Sequence, residues 1–168
     1  MKQEWLEGHK ARKRYGQNFL HDRHWLERSV RGFDPKPGDA PIEIGPGQAA
    51  LTREVIACAG HEAAVEIDRD LAQFLREQFS PEELTLIEAD ALILDWTTVL
   101  EGRRLRIIGN LPYNISSPLL FALMSAADRV NAPHLMLQRE VVDRMVAAPC
   151  SKIGRASCRE RVLITVDA

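Results

Sequence analysis

From Ala40 onward, short apolar runs alternate with amphipathic stretches along the chain. APIEIG, residues 40–45, predicts a strand, and Ala49 to Ala59 predicts an amphipathic helix closed by Gly60. HEAAVEID (61–68) predicts a second strand and RDLAQFLREQF (69–79) a second helix. LTLIEAD (84–90) predicts the third strand and Leu105–Gly109 the fourth. A helix is expected over Ser116 to Ala127, with Ser-Ser-Pro as its start signal. PHLMLQRE (133–140) predicts a fifth strand and VVDRMVAA (141–148) a further helix. Strand–helix alternation with short connections implies an α/β protein with a doubly wound, mainly parallel sheet.

At 168 residues the chain is about one domain long. Its 45% hydrophobic and 27% charged residues fit an ordinary soluble globular protein. No apolar run approaches the roughly 20 residues of a membrane span. The amino terminus, MKQEWLEGHKARKRYG, has no apolar core of the signal-peptide kind. Cys58, Cys150 and Cys158 are scattered and lack metal-ligand spacing, so free thiols in a reducing cytoplasm are expected, with no metal.

The net charge of −2 hides an asymmetry. Residues 1–31 carry eight Lys and Arg against four acids, whereas residues 32–151 carry ten basic and eighteen acidic residues. The basic group includes Lys10, Arg12, Lys13 and Arg14. A basic arm on an acidic body suits a polyanion, whose phosphates Lys and Arg neutralise. A solvated, charged leader would carry the same composition.

In doubly wound sheets ligands bind beyond the carboxyl ends of the strands, where strand order reverses. The first four predicted strands end in Glu43-Ile44-Gly45-Pro46-Gly47, in Glu66, in Asp90 and in Asn110. Gly45 and Gly47 allow a tight turn that brings backbone amides against a ligand. Glu66, 21 residues beyond Gly45, offers two oxygens to a pair of ribose hydroxyls. Asp90 can accept from an adenine amino group. The loop Gly45-Pro46-Gly47-Gln48-Ala49-Ala50 lacks the third glycine of the nicotinamide fingerprint, and a lone Gly-x-Gly is more often just a turn. Taken together, the four strand ends point to a nucleoside-bearing cofactor.

Asn110-Leu111-Pro112-Tyr113 then follows the fourth strand. To methylate a nucleobase amino group, a site must hold a weakly nucleophilic nitrogen and accept hydrogen bonds from its protons. Asn110 offers a side-chain carbonyl, and Pro112 a backbone carbonyl with no N–H of its own. Tyr113 can stack on an extruded base. The rate would come from in-line positioning rather than from a strong base. A capped turn with a core tyrosine is the plainer alternative.

RYGQNFLHD (14–22), EIGPGQAALT (43–52), VEIDRDL (65–71), EADAL (88–92), GNLPYNISSPLL (109–120) and MLQREVVDRMVA (136–147) together resemble the ribosomal RNA adenine dimethyltransferase family, in particular its bacterial small-subunit branch. The resemblance covers about residues 10–152. It implies a Rossmann-like class I S-adenosylmethionine-dependent methyltransferase that dimethylates two adjacent adenosines near the 3′ end of small-subunit rRNA. The implied setting is cytoplasmic ribosome biogenesis on the pre-30S particle, by a protein that is monomeric when complete. Cofactor-binding roles would fall on Asn18, Leu20, Gly45, Gly47, Glu66, Asp90 and Asn110. Target-base roles would fall on Asn110, Leu111, Pro112 and Tyr113, and the Gln-Asn-Phe-Leu segment would close over the methionine part of the cofactor.

The resemblance divides the chain into a basic arm with the cofactor-closing segment (1–31), a methyltransferase core (32–151) and a tail (152–168). The tail ends in IGRASCRERVLITVDA, which departs from the family pattern. An incomplete sheet and no rRNA-gripping helical domain are therefore expected. Two other functions remain: an rRNA-binding assembly module with little or no methyl transfer, and the antibiotic-resistance branch acting on large-subunit rRNA.

Overall fold

The apolar run Pro41–Ile44 forms β1, and all four of its residues are buried. In a computed structural model of the chain, residues 23–111, 114–131, 133–137 and 142–143 are described. Four more strands follow: β2 (Glu62–Glu66), β3 (Leu84–Glu88), β4 (Arg106–Asn110) and β5 (His134–Met136). They form one sheet in the order β3-β2-β1-β4-β5, and every pairing is parallel. β1 and β2 are buried along their whole length, three glutamates included, because strands central to a parallel sheet are covered on both faces.

The helices lie close to their predicted positions. α2 spans Ala50–Ala59 and ends in Gly60, whose left-handed backbone (φ 81°) lets its N–H return to the Ile56 carbonyl. α3 spans Arg69–Gln78, and the Asp68 carboxylate caps it by accepting from the Asp70 N–H. α4 spans Ser116–Met124, shorter than the sequence pattern suggested, and has no side-chain cap at Ile115. Beyond β5, Val142 and Asp143 are helical; the rest of that predicted helix lies outside the described residues.

One element was not predicted. α1 spans Arg23–Phe33 and crosses the expected boundary at residue 31. Leu26, Val30 and Phe33 face Leu51, Val55, Ile108 and Met136 in a common cluster. Their spacing is that of one helical face, hidden among the Arg and Glu residues that suggested an arm. Arg106 of β4 fastens this helix. Its guanidinium lies 4.4 Å over the Phe33 ring, donates to the Phe33 and Asp34 carbonyls, and pairs with Asp39. The last carbonyls of α1 thus gain the partners a helix end lacks.

The two faces of the sheet are covered differently. On one, Phe74 and Leu75 of α3 pack with Ala64 and Leu84, joined by Ile56 of α2 and by Ala49 just before it. On the other, Ile42, Ile44, Val65 and Ile107 meet Leu119 and Leu123 of α4, together with Trp96 from the β3–β4 connection. β1, β2 and β3 advance toward one edge, and the chain then returns to place β4 on the far side of β1. The order therefore reverses between β1 and β4, and a crevice is expected beyond their carboxyl ends.

Candidate active site

The glycine turn sits at that switch point. Gly45 (φ 71°) and Gly47 (φ 56°) both adopt the left-handed backbone region. The Gly45 N–H donates to the Val65 carbonyl at 2.9 Å, which keeps the turn against β2. A Cβ added at Gly45 would meet nothing within 4 Å, so space is open beside this backbone. Ala49, four residues beyond Gly45, also has a positive φ (65°) and is buried. A non-glycine residue in this left-handed region carries a strain cost of about 1–2 kcal/mol.

Glu66, the last residue of β2, meets this turn. Its Oε2 accepts from the Gly47 N–H at 3.2 Å and its Oε1 from the Asp68 N–H at 2.9 Å. Two donors fix the carboxylate while both oxygens keep acceptor capacity, since an ionised carboxylate has about four lone-pair sites. Burial raises its pKa above the usual value, and the N–H groups of Asp68 and Gly47 resist the rise. Open space over Gly45 and a pinned two-oxygen acceptor fit an adenosyl group with paired ribose hydroxyls.

The next strand end lies alongside. The Ala89 N–H donates to the Glu66 carbonyl at 3.1 Å, which sets Asp90 one strand over. Asp90 Oδ1 accepts from the Leu92 N–H at 2.9 Å, so one oxygen organises the turn that follows β3. Asn110 ends β4, across the switch point, with its strand paired to β1 on one side and β5 on the other. Gly45, Gly47, Glu66, Asp90 and Asn110 thus share one end of the sheet.

Leu111 differs from its neighbours. Its N–H donates to the Met136 carbonyl at 3.2 Å, and its side chain is buried in the α4-side core. What it can offer a substrate is its backbone carbonyl. Pro112 and Tyr113, Asn18 and Leu20, and Lys10, Arg12, Lys13 and Arg14 lie outside the described residues.

Two features of the site escaped the sequence reading. Gly109 is one: a Cβ there would lie 2.8 Å from the Ile44 carbonyl oxygen, so only glycine lets β4 approach β1 this closely just before Asn110. Glu43 is the other. It is buried in β1, and its Oε2 accepts from the Thr52 hydroxyl at 2.6 Å, tying β1 to α2 beneath the glycine turn. Burial drives its pKa to about 8, with the Thr52 hydroxyl opposing and the Glu66 charge reinforcing the rise. A carboxylate in an otherwise apolar strand was the signal available for it.

Strand order, glycine turn and acidic strand ends define a Rossmann-like class I S-adenosylmethionine-dependent methyltransferase fold. The chain belongs to the ribosomal RNA adenine dimethylase family, whose model matches residues 8–164 and so takes in most of the tail set apart above. It is 58% identical over 150 residues to the ribosomal RNA small subunit methyltransferase A of Bordetella petrii, covering 89% of this chain and 56% of that protein. Among solved structures, a dimethyladenosine transferase from Plasmodium falciparum is 26% identical with a TM-score of 0.67, covering 82% of this chain and 49% of that one. The 23S rRNA methyltransferase ErmE is 29% identical with a TM-score of 0.65, covering 76% of this chain and 50% of that one. The chain spans about half the length of the curated relatives it matches.

Proposed function

We propose that this chain transfers methyl groups from S-adenosylmethionine to the N6 atoms of two adjacent adenosines near the 3′ end of small-subunit rRNA, dimethylating each. The observation that carries the reading is the meeting of Gly47 and Glu66 at the switch point, with Asn110 at the end of β4. Family membership supports the chemistry, and the 58% identity to a small-subunit enzyme favours that rRNA over the large-subunit one.

Bound S-adenosylmethionine supplies an electrophilic methyl group on sulfur. Glu66 accepts from the ribose hydroxyls, the Gly45–Gly47 backbone lies against the cofactor, and Asp90 accepts from the adenine amino group. Asn110 and the Pro112 carbonyl take hydrogen bonds from the target amino group, aiming its nitrogen lone pair at the methyl. Tyr113 stacks on the target base. The nitrogen loses its proton to solvent after the methyl arrives, so no strong base is needed. Asn18 and Leu20 close over the methionine part, and Lys10, Arg12, Lys13 and Arg14 hold rRNA phosphates. The setting is the cytoplasmic pre-30S particle.

The test is radiolabelled methyl transfer to unmethylated small subunits, with the modified nucleotides mapped. Dimethyladenosine at adjacent positions is expected. Binding to the subunit without transfer would favour the assembly-module reading, and label in large-subunit rRNA would favour the resistance branch.

A further inference from the structure

Three carboxylates share one buried face of the sheet. β1 and β2 pair with Glu43 opposite Ala64, so Glu62 and Glu66, two residues to either side of Ala64, flank Glu43 diagonally. Glu43 is 2% exposed, Glu62 0% and Glu66 4%. Their hydrogen-bond donors are unequally divided. Glu66 receives the backbone N–H groups of Gly47 and Asp68, and Glu43 receives one hydroxyl, from Thr52. Both oxygens of Glu62 lack a hydrogen-bond partner among the described residues.

Buried charge is tolerated where donors meet it and is otherwise relieved by protonation. We propose that Glu43 is a positioning residue for the cofactor site: with Glu62 it holds a proton, so that the negative charge of this buried trio rests on Glu66. The proposal rests on the reading of Glu66 as the ribose acceptor and adds what keeps that acceptor ionised. Pairs of carboxyls with divergent environments commonly divide into one acid and one anion. The direction of each shift agrees, since burial raises all three and backbone donors resist the rise only at Glu66.

The surrounding charges leave this division in place. From α2, Arg53 turns to Gln78 and the Phe79 ring. From the outer end of α3, Arg76 pairs with Glu88. His61, before β2, meets the Thr85 hydroxyl. Asp68, at the head of α3, adds negative charge beside Glu66 and raises its pKa while its own N–H lowers it. A ligand that covers Glu66 strips away screening water, so a second charge at Glu43 is opposed more strongly in the bound state. Cofactor affinity should therefore fall as pH rises through the ionisation of Glu43.

Two measurements on the full chain test this. Infrared spectroscopy at neutral pH reads the carbonyl band of neutral carboxylic acids. Glu43→Gln and Glu62→Gln should each diminish it, and Glu66→Gln should leave it in place. Loss of the band in Glu66→Gln, with retention in Glu43→Gln, would overturn the proposal. Calorimetric titration with S-adenosylhomocysteine, across a pH range bracketing the Glu43 value, should show affinity falling several-fold on the alkaline side. That fall should vanish in Glu43→Gln and move to higher pH in Thr52→Val, which removes the hydroxyl that holds the Glu43 value down. An unchanged alkaline fall in both variants would overturn the positioning role. If Glu66→Gln binds the probe as tightly as the parent at neutral pH, the ribose assignment itself fails, while the infrared result still locates the protons.

Discussion

The backbone N–H of Gly47 donates to the carboxylate of Glu66 across 3.2 Å, so the turn after β1 is tied to the last residue of β2. Glu66 thereby does two things at once, fixing the turn and presenting its remaining lone pairs to whatever lies against it. Glu66→Ala should weaken S-adenosylmethionine binding by roughly 1–3 kcal/mol, the range for losing a charged hydrogen-bonding partner. Calorimetry on the folded variant checks this, and parent-like affinity would remove Glu66 from the cofactor site.

Under the proposed function Asn110 serves methyl transfer and the basic residues near the amino terminus serve RNA binding, so substitutions should separate the two. Asn110→Ala should lower methyl transfer about a hundredfold or more, as expected when an acceptor aimed at the reacting group is lost. It should leave affinity for small subunits near the parent value. Replacing Lys10, Arg12, Lys13 and Arg14 with Ala should do the reverse, weakening RNA binding and flattening its salt dependence. Filter binding at several salt concentrations, beside a methyl-transfer assay, reads both. An Asn110 variant that methylates at the parent rate would end the catalytic assignment.

Much of this arrangement was legible in the sequence because each part has a local signature. The apolar runs fixed four strands to within a residue or two, and Gly60 marked a helix end. Reading the strand ends together then gathered Gly45, Glu66, Asp90 and Asn110 without any contact being known. What escaped depends on partners distant in sequence. α1 is recognisable by the helical spacing of Leu26, Val30 and Phe33, but its anchor, Arg106, comes about seventy residues later. Glu43 reads as a defect in an apolar strand until Thr52 is seen to reach it. Leu111 sat in the motif read as serving the target base, yet its side chain is buried in the core.

Gly109 is a steric requirement rather than a flexible joint. The nearest atom to an added methyl, at 2.8 Å, is the Ile44 carbonyl oxygen, part of the β1 backbone that cannot swing aside as a side chain would. Gly109→Ala should cost roughly 1–3 kcal/mol of stability, the range for overpacking. It should also reduce methyl transfer in the remaining folded protein, because β4 carries Asn110 in the next position. Urea unfolding together with activity per folded molecule would measure both. A variant as stable and active as the parent would mean that β1 and β4 are not held this close.

Glu62 is the least satisfied group in the described fold, buried with neither oxygen hydrogen-bonded among the described residues. Burial, and then the nearby Glu43 charge, raise its pKa well above the ordinary value of 4.5. The folded state therefore binds more protons than the unfolded state between that ordinary value and the raised one. Stability from this group is fully present below the ordinary value and is lost as pH rises through the window. Leucine at this position keeps the apolar contacts and removes both the unmet hydrogen-bonding groups and the ionisation. Glu62→Leu should raise stability at neutral pH by roughly 1–3 kcal/mol. It should also flatten the decline toward alkaline pH, leaving the part due to Glu43 and Glu66. Thermal melts at a series of pH values read both effects. A variant less stable than the parent at neutral pH would mean that Glu62 has a partner that sustains its charge.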